Sequence, residues 1–75
     1  MERMKLWELA DLSLREREYR ALLYLSKGEA SLGEVMEALG FSMAGAYRAL
    51  SPLVQRGLVE KANGLYRLAI ALEFP

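Results

Sequence analysis

The region from Ser42 to Gly57 carries apolar side chains at the spacing of one face of an α-helix. These positions are Ala46, Leu50, Leu53 and Val54. Ser42 can cap this helix, because its hydroxyl can accept hydrogen bonds from the N–H groups of the first turn. Gly57 predicts the end of the helix, since glycine adopts the left-handed conformation common at helix exits. Pro52 removes a backbone hydrogen bond to the Arg48 carbonyl, so we expect a kink near Ser51.

The residues after Gly57 predict a β-hairpin. Its strands are expected at Leu58–Lys61 and Leu65–Leu68, with Asn63-Gly64 in the turn between them. Asparagine and glycine both accept the positive φ angles that a tight hairpin turn requires. A helix that leads through a glycine into a tight hairpin is the arrangement of a recognition helix and wing in DNA-binding winged-helix proteins.

An earlier helix is predicted from Leu14 to Ser26. Ser13 and Glu16 have the spacing of a capping box, and Leu12 is placed as a hydrophobic staple. The main apolar positions of this helix are Leu14, Ala21, Leu22 and Leu25. Charged residues cluster at its start, and we expect them to form a solvated face with alternating ion pairs. They are Arg15, Glu16, Arg17, Glu18 and Arg20.

A short helix is predicted between these two. It begins with a second capping box, Ser31 to Glu34, and ends at Gly40. Its inward positions are Leu32, Val35, Met36 and Leu39. Phe41 is expected to fill the gap before the next helix, and Ala30 can form a bridge to the wing. Two helices joined by a tight, glycine-containing turn make a helix-turn-helix.

The two ends of the chain are apolar. Residues 1–10 favour a short amphipathic helix over a strand, and we treat residues 1–12 as an N-terminal segment distinct from the domain at 13–75. Packing within the domain and a dimer contact are both open for this segment, with Leu6, Trp7 and Phe74 as the candidate dimer residues. The tail from Ala69 to Pro75 either extends the last strand or returns onto the N-terminal segment.

Charge is distributed unevenly along a chain whose net charge is zero. Residues 1–41 carry six basic and eight acidic side chains, whereas residues 42–67 carry four basic and one acidic. We therefore expect the cationic side chains after Phe41 to converge on one surface that fits a duplex groove. Hydrophobic residues make up 53% of only 75 residues, which indicates a dense core or a face covered by a second subunit.

The stretches Ala46–Leu50 and Arg56–Lys61 resemble the recognition helix and wing entry of winged-helix transcriptional regulators, most closely the sugar-sensing TrmB-like group and next the MarR-like group. The resemblance covers about Leu12 to Leu68. It implies an α+β fold that is mostly α, a winged helix-turn-helix with a three-helix core. It also implies that the protein is a dimeric regulator that binds double-stranded DNA. It also implies that the exposed face of the third helix enters the major groove. That face or its edge holds Ser42, Met43, Ala44, Gly45, Tyr47, Arg48, Ser51 and Gln55.

Individual residues of this region have competing interpretations. Arg48 is the best candidate for a phosphate or guanine contact, and the alternative is an ion pair with Glu37. The Tyr47 ring is expected to be buried with its hydroxyl exposed. Lys61 and Arg67 straddle the turn and could both hold backbone phosphates. For Asn63, also a candidate contact, turn chemistry is the favoured explanation.

Other classes of function find little support in the sequence. The chain has no cysteine or histidine, and Asp11 is its one aspartate, so no catalytic triad or metal cluster can be assembled. We therefore expect neither an enzyme nor a cofactor. No apolar run approaches the roughly 20 residues of a membrane span, and no signal-peptide pattern opens the chain, so a cytoplasmic protein is expected.

Two functional hypotheses follow. The first is a DNA-binding transcriptional regulator that acts as a homodimer. The second is a winged-helix protein–protein interaction module without DNA binding, favoured by the zero net charge, the apolar surplus and the absence of side-chain donors at Met43, Ala44 and Gly45. Members of the TrmB-like group carry a large effector domain after the winged helix, whereas this chain stops at Pro75, so no small-molecule site can be carried over.

Overall fold

The computed structural model describes residues 2–5 and 13–73 of the chain. These residues form three helices and five short strands. The helices are α1 (Glu16–Leu25), α2 (Leu32–Leu39) and α3 (Met43–Gln55). The strands are β1 (Glu2–Lys5), β2 (Ala30–Ser31), β3 (Val59–Ala62), β4 (Leu65–Leu68) and β5 (Ile70–Glu73). Three helices followed by a small antiparallel sheet confirm the predicted winged-helix class. None of the helices in these residues has the length and apolar content of a membrane span.

The predicted ends of α3 are confirmed. The Gly45 N–H donates to Ser42 Oγ over 3.0 Å, which makes Ser42 the N-cap. At the other end Gly57 has a φ of 76°, and the Leu58 N–H reaches back to the Leu53 carbonyl at 2.9 Å. The helix continues through Pro52. The kink expected near Ser51 stays a prediction.

The core is built around one side of α3. Ala46, Ala49, Leu50 and Leu53 are completely buried there. Val54 was expected on the same stripe, but it is 38% exposed, so that assignment is wrong. Because Ala49 belongs to the buried stripe, the centre of the stripe is rotated about a quarter turn around the helix axis from Val54. Val54 therefore lies at the edge of the stripe. The facing surface comes from the other elements, including Leu22 of α1, Val35 of α2 and Val59 of β3.

The predicted hairpin forms the wing, with its second strand at the expected Leu65–Leu68 and its first at Val59–Ala62, one residue later than expected. In the turn, Asn63 and Gly64 have φ angles of 54° and 77°, as expected for a two-residue hairpin loop. The two strands are antiparallel. Ala62 is paired with Leu65 next to the turn, and Val59 is paired with Leu68 at the base of the hairpin. On the other side of β4, Ala30 pairs with Tyr66, which confirms the predicted bridge from the segment before α2.

The start of α1 differs from the prediction. Ser13 has a φ of 54°, which is not the extended conformation of an N-cap, and the helix begins two residues later than a cap at Ser13 requires, with Arg15 as N-cap. The Arg15 N–H donates to Glu18 Oε1 at 3.0 Å. Glu18 was expected on a solvated face and is only 5% exposed, because it turns back to satisfy this N–H. The predicted staple residue Leu12 lies outside the described residues.

The chain ends pair with each other. Glu2–Lys5 is a strand, not the predicted helix, and it runs parallel to Ile70–Glu73. The backbone of β5 supplies hydrogen-bond partners that local sequence patterns do not reveal. The tail therefore returns onto the N-terminal segment, one of the two predicted alternatives. Leu6, Trp7 and Phe74, the candidate dimer residues, lie outside the described residues.

The capping box of α2 is confirmed in both directions. Ser31 Oγ accepts from the Glu34 N–H at 3.2 Å, and Glu34 Oε1 accepts from the Ser31 N–H at 3.0 Å. The backbone hydrogen bond from Ser31, followed by the bond from its side chain, lowers the pKa of Glu34 below its ordinary 4.5. The charged carboxylate is thus the form that the folded state favours.

Adjacent leucines on α1 provide a test of this packing. Leu22 is fully buried and Leu23 is 39% exposed. Leu22→Ala should lower the free energy of unfolding by about 2–5 kcal/mol, because it leaves a cavity beside α3. Leu23→Ala should change it by about 0.5 kcal/mol or less. Urea unfolding followed by circular dichroism measures both, and equal losses for the two variants would contradict the packing described.

The Glu34 cap predicts a pH dependence of stability. A carboxyl whose pKa is lower in the folded state stabilises the fold above its unfolded pKa, here 4.5, and this contribution is lost as pH falls through the folded value. Glu34→Gln should therefore destabilise the protein at pH 7 and have less effect at pH 3. Urea unfolding at both pH values measures this. Glu37→Gln on the same helix is the control, and a loss for Glu34→Gln that is independent of pH would be inconsistent with the cap.

Candidate nucleic-acid interface

The solvent side of α3 forms a ridge between two clefts. Tyr47, Ser51 and Gln55 line both clefts, so they form the crest, which we call the α3 ridge. Their spacing of four residues places them in a row along the helix. Ser51 and Gln55 are exposed, and Tyr47 is 42% exposed, so the expected burial of its ring is wrong. The ridge is opposite the buried stripe of α3 and faces solvent because that stripe faces the core.

The cleft on the wing side, about 320 Å³ in volume, separates the ridge from the hairpin. Lys61 and Tyr66 line it from the wing, and Val54 lines it from α3. Lys61 and Tyr66 are paired directly across the two strands, and the Lys61 Nζ lies 5.3 Å from the centre of the Tyr66 ring. Tyr66 is buried, so it holds the exposed lysine beside the ridge.

The other flank of the ridge faces the start of α1. Two adjoining hollows of about 660 Å³ and 530 Å³ lie there, and we call them together the α1-side cleft. Both are lined by Arg15, Arg17 and Arg48. Arg20 lines the hollow near the start of α3, and Glu18 lines the other. Three α1 arginines, which the sequence predicts on an ordinary solvated face, therefore lie beside Arg48.

Arg67 does not join this surface. It is paired with Glu60 across the hairpin, and its Nε and Nη2 each lie 3.1 Å from Glu60 Oε2. Side chains alternate between the two faces of a strand, so the Glu60–Arg67 pair is on the face opposite Lys61 and Tyr66. The expectation that all cations after Phe41 converge is therefore wrong for Arg67, while Arg48 and Lys61 flank the same ridge.

The first turn of α3 lies at one end of the ridge. Met43 is 57% exposed and Ala44 is also exposed, whereas Gly45 is half-buried beside the N-cap. A Cβ at Gly45 would lie 3.2 Å from Ser42 Oγ, so glycine leaves room for the capping hydroxyl. Asn63 is exposed at the tip of the wing. Its positive φ is explained by the turn alone.

The cations beside the ridge are available to a ligand. Within residues 2–5 and 13–73, the side chains of Arg48 and Lys61 make no hydrogen bond or ion pair, so the alternative pairing of Arg48 with Glu37 does not occur. The same part of the chain holds no cluster of acidic side chains that could bind a metal ion. The site thus offers cationic donors on both flanks of an exposed helix, with polar side chains along its crest.

A family-level comparison adds to this geometry. The model of the family described as "Sugar-specific transcriptional regulator TrmB" matches residues 9–74, which is most of the chain. No curated protein and no solved structure matches the chain.

Proposed function

The chain belongs to the TrmB family of transcriptional regulators, and from this premise we propose that it binds double-stranded DNA with the α3 ridge in the major groove. The observation that carries the proposal is the position of Arg48 and Lys61. They lie in the two clefts on opposite flanks of the ridge, and neither has an ion-pair partner among the described residues.

The shape of the site supports this proposal. The major groove of B-DNA is about 12 Å wide and accepts one α-helix, whose diameter with side chains is about 10–12 Å. A helix inserted in the groove has one phosphate backbone on each side of it. The two clefts beside the α3 ridge supply space for those backbones, and each is lined by at least one cation. The wing then approaches the backbone on the Lys61 side.

The side chains along α3 suggest how bases would be read. Ser51 and Gln55 can each donate and accept hydrogen bonds, and glutamine can make a bidentate contact with adenine. Arg48 can contact a phosphate, or guanine through two parallel hydrogen bonds. Met43 and Ala44 have no polar atoms in their side chains and suit contacts with thymine methyl groups. With so few polar groups, we expect modest sequence specificity.

We further propose that the regulator acts as a homodimer. Helix-turn-helix proteins commonly bind two half-sites, one per subunit, along one face of the duplex. The large share of apolar residues in so short a chain is consistent with a surface covered by a second copy. Leu6, Trp7 and Phe74 are the candidate contacts.

One observation favours a second candidate function, a protein–protein interaction module. Met43, Tyr47 and Val54 are all large apolar or aromatic residues of α3, and their exposed fractions are 57%, 42% and 38%. Exposed apolar side chains on one helix are typical of contacts with other proteins. This function predicts a folded protein that does not bind DNA at low salt.

Fluorescence anisotropy with a labelled duplex of mixed sequence tests the DNA-binding proposal. We expect binding at about 50 mM salt that weakens steeply at 200 mM, because each phosphate contact contributes about −0.9 to the slope of log K against log salt. A folded protein that fails to bind at the lower salt concentration would remove the proposal and favour the second function.

Single substitutions locate the binding surface in the same assay. Arg48→Gln and Lys61→Gln should each weaken binding and reduce the salt slope by about 0.9 when one phosphate contact is lost. Arg67→Gln removes the same charge from the opposite face of the wing and is the matched control. If Arg67→Gln were the most damaging of the three, the proposed orientation would be wrong.

Light scattering after size exclusion tests the homodimer. We expect the molar mass of two chains at micromolar concentration. Trp7→Ala should shift the mass toward one chain, since truncation of a large aromatic residue removes much of a small interface. Leu23→Ala, on α1, should leave the dimer intact. A wild-type protein with the mass of one chain would contradict the proposal.

A further inference from the structure

We propose that the α1-side cleft is a second phosphate-binding site, which holds the backbone of the DNA strand on the flank of the ridge opposite the wing. This inference rests on the proposed DNA binding and deepens it, because it assigns a role to arginines of α1, outside the recognition helix and the wing. The ligand is a phosphate group of the bound duplex.

The composition of the cleft carries the inference. In the hollow of about 530 Å³ next to the start of α3, four arginines contribute to the lining and Glu16 is the one carboxylate. They are Arg15, Arg17, Arg20 and Arg48. Glu18, which lines the adjoining hollow, accepts a hydrogen bond from the Arg15 backbone N–H. The excess of positive charge favours an anionic ligand.

The arginines differ in how firmly they are held. Arg20 is fixed, because its Nη2 donates to the Leu39 carbonyl at 3.0 Å and its Cζ lies 5.1 Å from the centre of the Phe41 ring. The side chains of Arg17 and Arg48 make no hydrogen bond or ion pair with the described residues. These guanidinium groups retain their donors, and the planar fork of arginine matches two oxygens of a phosphate.

The donors of this site are side chains and not the end of α3. The Gly45 N–H in the first turn already donates to Ser42 Oγ. What makes the cleft specific is its place in the fold, since it adjoins the α3 ridge on the side away from Lys61. With α3 in the major groove, one strand would lie against Lys61 and the other against the α1 arginines. The protein would thus hold both strands.

The test is a salt titration of duplex binding with the double variant Arg15→Gln/Arg17→Gln. Two lost phosphate contacts should reduce the slope of log K against log salt by about 1.8. If the variant and the wild-type protein have equal affinity at 1 M salt, this difference in slope makes the variant about 60-fold weaker at 0.1 M salt. Lys27→Gln, just beyond the other end of α1, removes one exposed charge far along the helix and should leave the slope unchanged. Arg17→Glu, a single reversal, tests the site if the double variant unfolds.

The outcomes separate the inference from the proposed function. If the wild-type protein binds the duplex and the α1 variants keep its affinity and salt slope, the second site is overturned while the α3 proposal stands. If the wild-type protein does not bind, both fail. A reduced slope for the α1 variants, an unchanged slope for Lys27→Gln and unchanged circular dichroism for all would support the inference.

Discussion

The burial of one side of α3 is the constraint on which the rest of the structure depends. Ala49 and Leu53 on that side are fully buried, and burial of a leucine contributes about 1.5–3 kcal/mol. The alanines of the stripe let neighbouring elements approach closely. Because this side is fixed against α1, α2 and β3, the opposite side must face solvent. The same contacts that stabilise the domain therefore orient Tyr47, Ser51 and Gln55 as a ridge.

Sequence reasoning succeeded where structure is set by neighbouring residues. The serine caps at Ser31 and Ser42, the left-handed exit at Gly57 and the Asn63-Gly64 turn each depend on a few consecutive positions.

The opposite orientation of Lys61 and Arg67 was also predictable. A two-residue turn fixes which residues are paired, and strand alternation then fixes their faces. Counting out from the turn pairs Lys61 with Tyr66 and Arg67 with Glu60, so the sequence alone contains this orientation.

Other features could not be read from the sequence. Ser13 and Arg15 are alternative N-caps of α1, and the structure has Arg15. With this cap the Glu18 carboxylate accepts a hydrogen bond from the Arg15 N–H while the rest of the Glu18 side chain is buried. The strand at Glu2–Lys5 exists through pairing with the far end of the chain, which no local period encodes. The position of Arg17 beside Arg48 likewise depends on how α1 packs on α3. Half of the candidate site is therefore a product of tertiary structure.

Zero net charge is compatible with a nucleic-acid partner because electrostatic effects in salt are local. The domain measures 30 × 24 × 22 Å, whereas the Debye length at 0.1 M salt is about 10 Å. Charges on one side of the protein are thus largely screened from a duplex on the other. The exposed carboxylates Glu34 and Glu37 of α2 are not among the residues that line the clefts beside the α3 ridge. Carboxylates away from the ridge would repel a duplex that approaches in a wrong orientation. The acidic residues that bring the net charge to zero would thus weaken the overall attraction to DNA and also favour approach through the arginine-lined face.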